Sequence, residues 1–279
     1  MKRALPLIAA LALVSACKEQ KAGEPVVVVN LNGEDALEMV PMAAGAEETL
    51  VEGPSACATS TFEEIEFTHC LADPQDHVIS AVYGPTEGAP AFGTLGALAE
   101  VLDAKEIAFA TNGGAFSDDL TPRGYLVTSG NRVSPLDQGS GDGNFYLEPN
   151  GVFFGSGGDW KILTTPEFLR TVRDRPQFGT QSGPMLLVGG ELSEAINPNG
   201  NSRAVRNGVG IDADGKAHFV ISGAPVSFGQ LARFFRDELG ATDALFLDAN
   251  SSSLWDPVTG RLDEGRTGPI LVVSKKAAP

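Results

Sequence analysis

Two short apolar segments of the chain, 107–110 and 244–247, are predicted strands that run directly into polar loops. The candidate site residues of these loops are Asn112, Gly113, Gly114, Asp248 and Asn250, and three serines follow at 251–253. A rigid strand holds the residues at its end in place, and catalytic and binding residues are commonly found at such positions. A carboxyl group such as Asp248 is partly desolvated there, so its pKa can rise enough for general-acid catalysis. The amides of Gly113 and Gly114 can approach an anion or a sugar hydroxyl closely, because glycine has no Cβ.

Two arginines, Arg203 and Arg206, lie just before a predicted strand at 209–212. A guanidinium group binds phosphate through two parallel hydrogen bonds. The chain carries 20 basic and 36 acidic side chains, a net charge of −16, so we expect it to repel nucleic acid and anionic lipid surfaces. A phosphate-bearing ligand would therefore need a local basic site, and these two arginines are the candidates for phosphate binding. Ion pairing with surface carboxylates is their alternative role.

Other common classes of site lack the residues that they need. The chain has no Gly-x-Ser-x-Gly nucleophile motif and no Walker A loop. Its three histidines, His69, His77 and His218, lie in strand-like segments, and His218 is expected to pack rather than to catalyse. Paired histidines and spare cysteines for zinc are missing, and 212–215 is predicted to be a hairpin turn rather than a calcium loop. The sequence predicts no metal and no cofactor.

The N-terminus resembles the export signal of a bacterial lipoprotein. Two basic residues precede an apolar run at 5–14, which is too short to span a bilayer. The run ends in Leu-Val-Ser-Ala-Cys, which resembles a lipobox with Cys17 as the acylated residue. This predicts a signal peptide at 1–16, a flexible tether at 17–56 and membrane attachment through lipid alone. An ordinary secretory peptide is the alternative.

The lipid anchor implies a location in the bacterial cell envelope. Lys18, which follows the acylated cysteine, does not resemble the aspartate that retains lipoproteins in the inner membrane. The expected location is therefore the outer membrane, with the protein facing the periplasm. In that oxidising compartment the two remaining cysteines, Cys57 and Cys70, are predicted to form a disulfide rather than two buried thiols. Closing a loop of about a dozen residues would contribute on the order of 3 kcal/mol.

The rest of the chain reads as one domain at 57–274, followed by a polar tail at 275–279. A first helix is predicted at 92–102, and a second begins with Thr165 as its N-cap. A third helix, at 227–239, opens with a capping box of Ser227 and Gln230. Predicted strands fill most of what remains: 77–83, 107–110, 124–128, 144–147, 152–154, 185–188, 209–212, 217–222, 244–248 and 270–273. Many strands and few helices predict the α+β class, a single domain with a large mixed twisted β-sheet and a few packed helices.

Five ordered segments of this domain resemble the phosphodiester glycosidase family. They are 112–116 with 122–127, 143–153, 181–186, 206–210 and 247–248. The resemblance spans about 57–274, and the family includes the enzyme that uncovers mannose 6-phosphate by removing N-acetylglucosamine from a phosphodiester. Asn112, Arg206 and Asp248 fall on the site motifs of the family, so Asn112 and Asp248 are expected to be catalytic. Substrate or phosphate binding is expected from the remaining candidates: Arg203, Arg206, Gly113, Gly114 and Asn250. The chain departs from it at Ala249-Asn250, where the family usually has glycine, and at Asn207, where many members have threonine.

The resemblance implies cleavage of the glycosidic bond of sugar-1-phosphodiesters, in this case those of envelope polymers or glycolipids. Asp248 would act as nucleophile, electrostatic stabiliser or acid, and Arg206, with Arg203, would bind the phosphate. Glycosidases normally use a second carboxylate, for which the sequence offers three candidates: Asp118, Asp142 and Asp212. Two other functions remain open, a non-catalytic glycan- or envelope-binding lipoprotein and a structural assembly lipoprotein. The sequence does not predict an oligomeric state.

Overall fold

The computed structural model describes residues 50–248 and 252–277 of the chain. The predicted signal peptide, the predicted acylation site Cys17, Asn250 and most of the predicted tether lie outside these residues. From Leu50 onward the chain forms one compact unit. Within the described ranges, no helix is both long enough and apolar enough to cross a membrane.

Short strands dominate the described part of the chain, and three short α-helices accompany them. The strands are β1 (Cys57–Phe62), β2 (Ile65–Ala72), β3 (His77–Val82), β4 (Gly93–Thr94), β5 (Ile107–Asn112), β6 (Leu126–Thr128), β7 (Asn131–Ser134), β8 (Gly151–Ser156), β9 (Asp159–Thr164), β10 (Phe178–Ser182), β11 (Met185–Val188), β12 (Glu191–Leu192), β13 (Asn207–Asp212), β14 (Ala217–Ser222), β15 (Ala241–Phe246), β16 (Leu254–Asp256), β17 (Arg261–Leu262), β18 (Arg266–Thr267) and β19 (Ile270–Lys275). The helices are α1 (Leu95–Ala99), α2 (Thr165–Thr171) and α3 (Phe228–Arg233), and α3 continues as a π-helical turn at Phe234–Glu238.

The strands form three main sheets. Their orders are β1-β2-β14-β13-β15-β11-β12, β7-β6-β10-β8-β9 and β17-β16-β5-β19-β3, and β18 pairs with β4. Every strand pair among the described residues is antiparallel. The predicted α+β single domain is confirmed, but three antiparallel sheets take the place of one large mixed sheet. Alternating apolar residues reveal that a segment is a strand, not which strand it pairs with.

One apolar core joins the three main sheets. Phe219 of the first sheet makes edge-to-face contacts with Phe109 of the third, at 5.2 Å between ring centres, and with Phe153 of the second, at 6.0 Å. A second core covers the other face of the seven-stranded sheet, where Phe234 stacks on Phe67 at 4.2 Å. Such pairs add about 0.5–1.5 kcal/mol each to the stabilisation from burial. The packing therefore fixes the sheets against one another, and with them the loops at the strand ends.

The first helix is shorter than the sequence predicts, and the cap of the second differs. The side chain of Thr94 caps α1, which therefore begins at Leu95 rather than at residue 92. Thr164 caps α2, because its hydroxyl accepts the amide of Glu167, and the predicted N-cap Thr165 is the first helical residue. The predicted capping box at the start of α3 is confirmed.

Two local predictions about turns have opposite outcomes. The hairpin turn at 212–215 is confirmed, and Gly215, with a φ of 79°, joins β13 to β14 there. The predicted strand at 144–147 is wrong, since Asn144–Tyr146 forms a 3-10 turn. Gly143 precedes it with a φ of 93°, and this left-handed backbone interrupts an extended path.

The predicted disulfide between Cys57 and Cys70 is present, and the two residues are directly opposite in the β1–β2 hairpin. Residues 51–56, which the sequence assigned to the tether, contact the domain. Val51 donates its amide to the carbonyl of Pro257 at 3.1 Å, and the Ser55 hydroxyl donates to Asp256 at 2.6 Å. The ordered domain therefore begins before the disulfide.

Candidate active site

Three strand ends meet at the candidate site. Asn112 is the last residue of β5, Asn207 is the first of β13, and Asp248 lies two residues beyond β15. β13 and β15 are paired in the seven-stranded sheet, whereas β5 belongs to the third sheet. The two polar loops that the sequence singled out are therefore neighbours in space, although they come from different sheets.

Buried hydrogen bonds connect these strand ends. The Nδ2 of Asn207 donates to Oδ1 of Asn112 at 2.5 Å, and Oδ1 of Asn207 accepts the backbone amide of Asp248 at 3.1 Å. The same Oδ1 of Asn112 accepts the amide of Ser253 at 3.1 Å. Asn112 is 0% exposed and Asn207 1%. Both carboxamides are thus buried, and they are bonded to one another and to backbone amides.

Asp248 faces a cavity of about 260 Å³. Its lining also contains two further carboxylates, one guanidinium group and one hydroxyl: Asp118, Asp142, Arg123 and Ser182. The Ser182 hydroxyl donates to the carbonyl of Leu247 and so fixes the chain just before Asp248. Asp248 itself is 6% exposed, which places its carboxylate at the border between core and cavity.

The two glycines of the first loop do not offer free amides. The amide of Gly113 donates to the carbonyl of Pro269 at 2.7 Å, and that of Gly114 donates to the hydroxyl of Thr180 at 3.0 Å. A Cβ on Gly114 would lie 2.3 Å from the carbonyl oxygen of Gln181. Glycine is thus required here for close packing of the loop against β10. The expected contact of these amides with a substrate is not present in this geometry.

Arg206 is buried inside the domain rather than at the cavity. Its guanidinium carbon lies 3.6 Å from the ring centre of Phe228 and 5.5 Å from that of Phe246. Nε donates to the carbonyl of Val226 at 2.9 Å, and Nη2 donates to that of Ser202 at 3.2 Å. Nη1 is buried without a hydrogen-bond partner among the residues that the structure describes. Burial lowers the pKa of Arg206 to about 10, so the group remains cationic at neutral pH.

Arg203 is also away from the cavity. It is exposed, and its Nη1 donates to Oε1 of Gln230 at 2.6 Å, next to the capping box of α3. Among the residues that the structure describes, neither it nor Arg206 forms the surface ion pair that was the alternative role. Neither guanidinium is among the described residues that line the cavity of Asp248, so the phosphate-binding role of Arg203 and Arg206 stays a prediction.

Arg123 is the cationic side chain that the sequence reasoning missed. It lies in an exposed position on the cavity lining, and its amide donates to the carbonyl of Ala115 at 2.8 Å. The next residue, Gly124, has a φ of 75°, and a Cβ there would lie 2.3 Å from Oε1 of Gln181. The Pro-Arg-Gly sequence was therefore a usable signal for a fixed arginine. Only glycine fits at position 124, so the backbone next to Arg123 is held in place.

The three candidate second carboxylates separate in the structure. Asp118 and Asp142 line the cavity with Asp248. Asp212 instead receives a hydrogen bond from Nε2 of His218 at 3.0 Å, and it is not part of the lining. Burial opposes the ionisation of Asp212, but hydrogen bonds from His218 and from backbone amides outweigh it and lower its pKa. In the described ranges, no three His, Cys, Asp or Glu side chains are grouped as a metal site.

Comparisons with known proteins agree with this architecture. The family model for phosphodiester glycosidase matches residues 105–267. An uncharacterized Escherichia coli protein, YigE, is 34% identical over 175 residues, which cover 62% of this chain and 68% of that protein.

Two solved structures resemble the chain in fold. The catalytic domain of zebrafish N-acetylglucosamine-1-phosphodiester alpha-N-acetylglucosaminidase, auto-inhibited by its pro-peptide, has a TM-score of 0.54 at 14% identity; the match covers 79% of this chain and 82% of that chain. A hypothetical protein from Synechocystis has a TM-score of 0.53 at 16% identity, and the match covers 79% of this chain but 61% of that one. At these identities the structures show a shared fold alone. The match of the family model shows that this chain belongs to the phosphodiester glycosidase family.

Proposed function

We propose that this protein is a hydrolase that cleaves the glycosidic bond between a sugar and a phosphate in the phosphodiesters of envelope polymers or glycolipids. The observation that supports it most is the lining of one cavity by both Asp248 and Arg123. Family membership and the likeness to the zebrafish glycosidase fold agree with this class of reaction. The cavity volume of about 260 Å³ is near the lower end of ligand sites, so it suits one sugar phosphate unit.

The proposed chemistry divides between the charged groups of the cavity. Phosphate is a good leaving group, so the reaction needs less proton donation than the cleavage of an ordinary glycoside. Arg123 binds the phosphate through its guanidinium fork. The carboxylate of Asp248 stabilises the positive charge that develops at the anomeric carbon. Asp118 or Asp142 supplies the second carboxylate, which activates water or assists the leaving group.

The proposed location is the bacterial outer membrane, on the periplasmic side. Cys17, acylated after removal of residues 1–16, would attach the protein through lipid, and carbohydrate phosphodiesters of the envelope would then be within reach. No nucleic acid is expected as a partner, because the net charge is −16. Incorporation of labelled palmitate into the parent but not into Cys17→Ser would test the anchor; equal labelling would contradict it.

The activity is tested with a panel of α-linked sugar-1-phosphodiesters, with release of free sugar as the readout. The purified full chain is compared with Asp248→Asn, with Arg123→Gln and with two matched controls. Asp159→Asn removes an exposed carboxylate that pairs with Lys161 at 2.9 Å, and Arg132→Gln removes an exposed guanidinium outside the cavity. We expect turnover by the parent and both controls, loss of turnover in Asp248→Asn, and a raised KM in Arg123→Gln.

Two results would contradict the proposal. Full turnover by Asp248→Asn would remove this carboxylate from the chemistry. Absence of turnover across the panel, together with binding of a phosphodiester that Arg123→Gln weakens, would support the non-catalytic binding protein instead. That alternative draws on Ala249-Asn250, which replace the glycines usual in the family.

A further inference from the structure

Asn207 is the residue through which the candidate site is joined to both sheets. Its side chain donates to Oδ1 of Asn112, at the end of β5, and accepts the amide of Asp248, beyond β15. Its backbone carbonyl also accepts the amide of Leu247 at 3.4 Å. The side chain of Asn207 thus makes one hydrogen bond to the third sheet and one to the backbone that follows β15. Because it is 1% exposed, Asn207 cannot itself reach a substrate in the cavity.

The roles of the two carboxamide atoms of Asn207 are chemically distinct. Oδ1 of Asn112 accepts hydrogen bonds from Asn207, from the amide of Ser253 and, at 3.4 Å, from the hydroxyl of Thr111. An oxygen surrounded by donors requires a donor at position 207, which is Nδ2. The amide of Asp248 requires an acceptor at the same position, which is Oδ1. A carboxamide provides one of each, whereas a carboxylate or an aliphatic side chain of similar size does not.

We propose that Asn207 is a positioning residue that fixes the backbone of Asp248 and thereby aims its carboxylate into the cavity. This inference rests on the proposed function, because it names the residue that orients the proposed catalytic carboxylate. The neighbouring Ser182 hydroxyl, bonded to the Leu247 carbonyl, fixes the preceding residue from the other side. The carbonyl of Leu247 and the amide of Asp248, which belong to one peptide group, are therefore both bonded to buried side chains.

The test uses Asn207→Leu, Asn207→Asp and, as a control, His218→Gln. Leucine removes both the donor and the acceptor. Aspartate keeps an acceptor for the Asp248 amide but places an oxygen opposite Oδ1 of Asn112, where the observed separation is 2.5 Å. His218 is also buried and hydrogen-bonded and lies on the adjacent strand β14, but it does not line the cavity. The control therefore measures the effect of lost stability while the position of Asp248 is unchanged.

Kinetics and hydrogen exchange of the Asp248 amide are measured on the same proteins. We expect kcat of Asn207→Leu to fall on the order of 100-fold with KM changed less than about twofold, because misplacement of a catalytic group affects the transition state more than binding. We expect exchange at Asp248 to accelerate about tenfold in Asn207→Leu, to change little in Asn207→Asp and to be unchanged in His218→Gln. Asn207→Asp should still lose kcat, because its link to Asn112 is broken.

The two readouts separate this inference from the proposed function. If the parent shows no turnover, the proposed function fails, while exchange at Asp248 still decides whether Asn207 positions it. If the parent is active, an unchanged kcat in Asn207→Leu overturns the positioning role. An equal fall of kcat in His218→Gln at equal loss of melting temperature also overturns it, because the effect would then be one of stability alone.

Discussion

Lowering the pH from about 7 to about 4.5 should destabilise this protein chiefly through His69, whose pKa is lowered to about 4. Nε2 of His69 lies 2.9 Å from Nδ1 of His218, whose Nε2 is hydrogen-bonded to Asp212 at 3.0 Å. Burial, with a smaller contribution from neighbouring His218, lowers the pKa of His69 from 6.5 to about 4. The folded state therefore binds this proton less readily than the unfolded chain does.

The sign and the pH range follow from that difference. Above pH 6.5 neither state carries the proton, so the contribution of His69 to the free energy of unfolding is fully present. As the pH falls from 6.5 towards 4, only the unfolded chain is protonated, and the free energy of unfolding decreases. A difference of about 2.5 pH units, at about 1.4 kcal/mol per unit, corresponds to about 3 kcal/mol. The lowered pKa of Asp212 acts in a different range, since its contribution is lost only below the ordinary value of 3.8.

The assay is urea denaturation at intervals between about pH 7.5 and pH 4.5. We expect His69→Gln, which keeps a hydrogen-bonding side chain but cannot titrate, to lose most of the pH dependence shown by the parent. His77→Gln is the comparison, because burial also lowers the pKa of His77, but this half-buried side chain accepts a hydrogen bond from the backbone amide of Asp73 and should account for a smaller part of the pH dependence. If His69→Gln has the same slope as the parent between pH 6.5 and 4.5, the pKa assigned to His69 is wrong.

Three further predictions concern stability and binding. Arg206→Lys should lower the free energy of unfolding by about 2–4 kcal/mol, because lysine cannot reproduce the buried hydrogen bonds of the guanidinium. Arg203→Lys should melt like the parent, and equal melting temperatures of the two variants would contradict the buried role of Arg206. Cys57→Ser should lower the free energy of unfolding by about 3 kcal/mol, since the disulfide closes a sequence separation of 13 residues. The parent should melt at a lower temperature with reductant than without it. The KM for a phosphodiester should fall as the salt concentration rises from about 10 mM to about 150 mM, because screening reduces the repulsion between the substrate and a net charge of −16. A rising KM would show that local attraction by Arg123 dominates.

The sequence predicts those features that depend on neighbours along the chain. The capping box of Ser227 and Gln230 is such a feature, since both partners lie within one helical turn. The turn at 212–215 follows from glycine and aspartate chemistry over four residues. The disulfide follows from two cysteines and an oxidising compartment. The meeting of the two polar loops could also be anticipated, because each follows a buried strand.

Features that depend on distant partners could not be predicted in this way. The position of Arg206 is set by Ser202, Val226 and the ring of Phe228, of which the last two lie at least 20 residues away in sequence. A charged residue before a strand is usually exposed, and its burial here follows only from the packing of α3 on the sheet. For the same reason Arg123 remained unnoticed, since its place on the cavity lining depends on the loop formed by 116–122.

The candidate site has a neutral interior and a charged surface. Asn112 and Asn207 satisfy one another and the surrounding amides without a buried ion, so their burial incurs no charge desolvation. Asp118, Asp142 and Arg123 lie instead at exposed positions of the cavity lining, whereas Asp248, which also lines the cavity, is only 6% exposed. Asn112, which the sequence grouped with Asp248 as catalytic, therefore belongs to the interior part. Substitutions in the interior should change how accurately Asp248 is placed, whereas substitutions on the lining should change the chemistry itself.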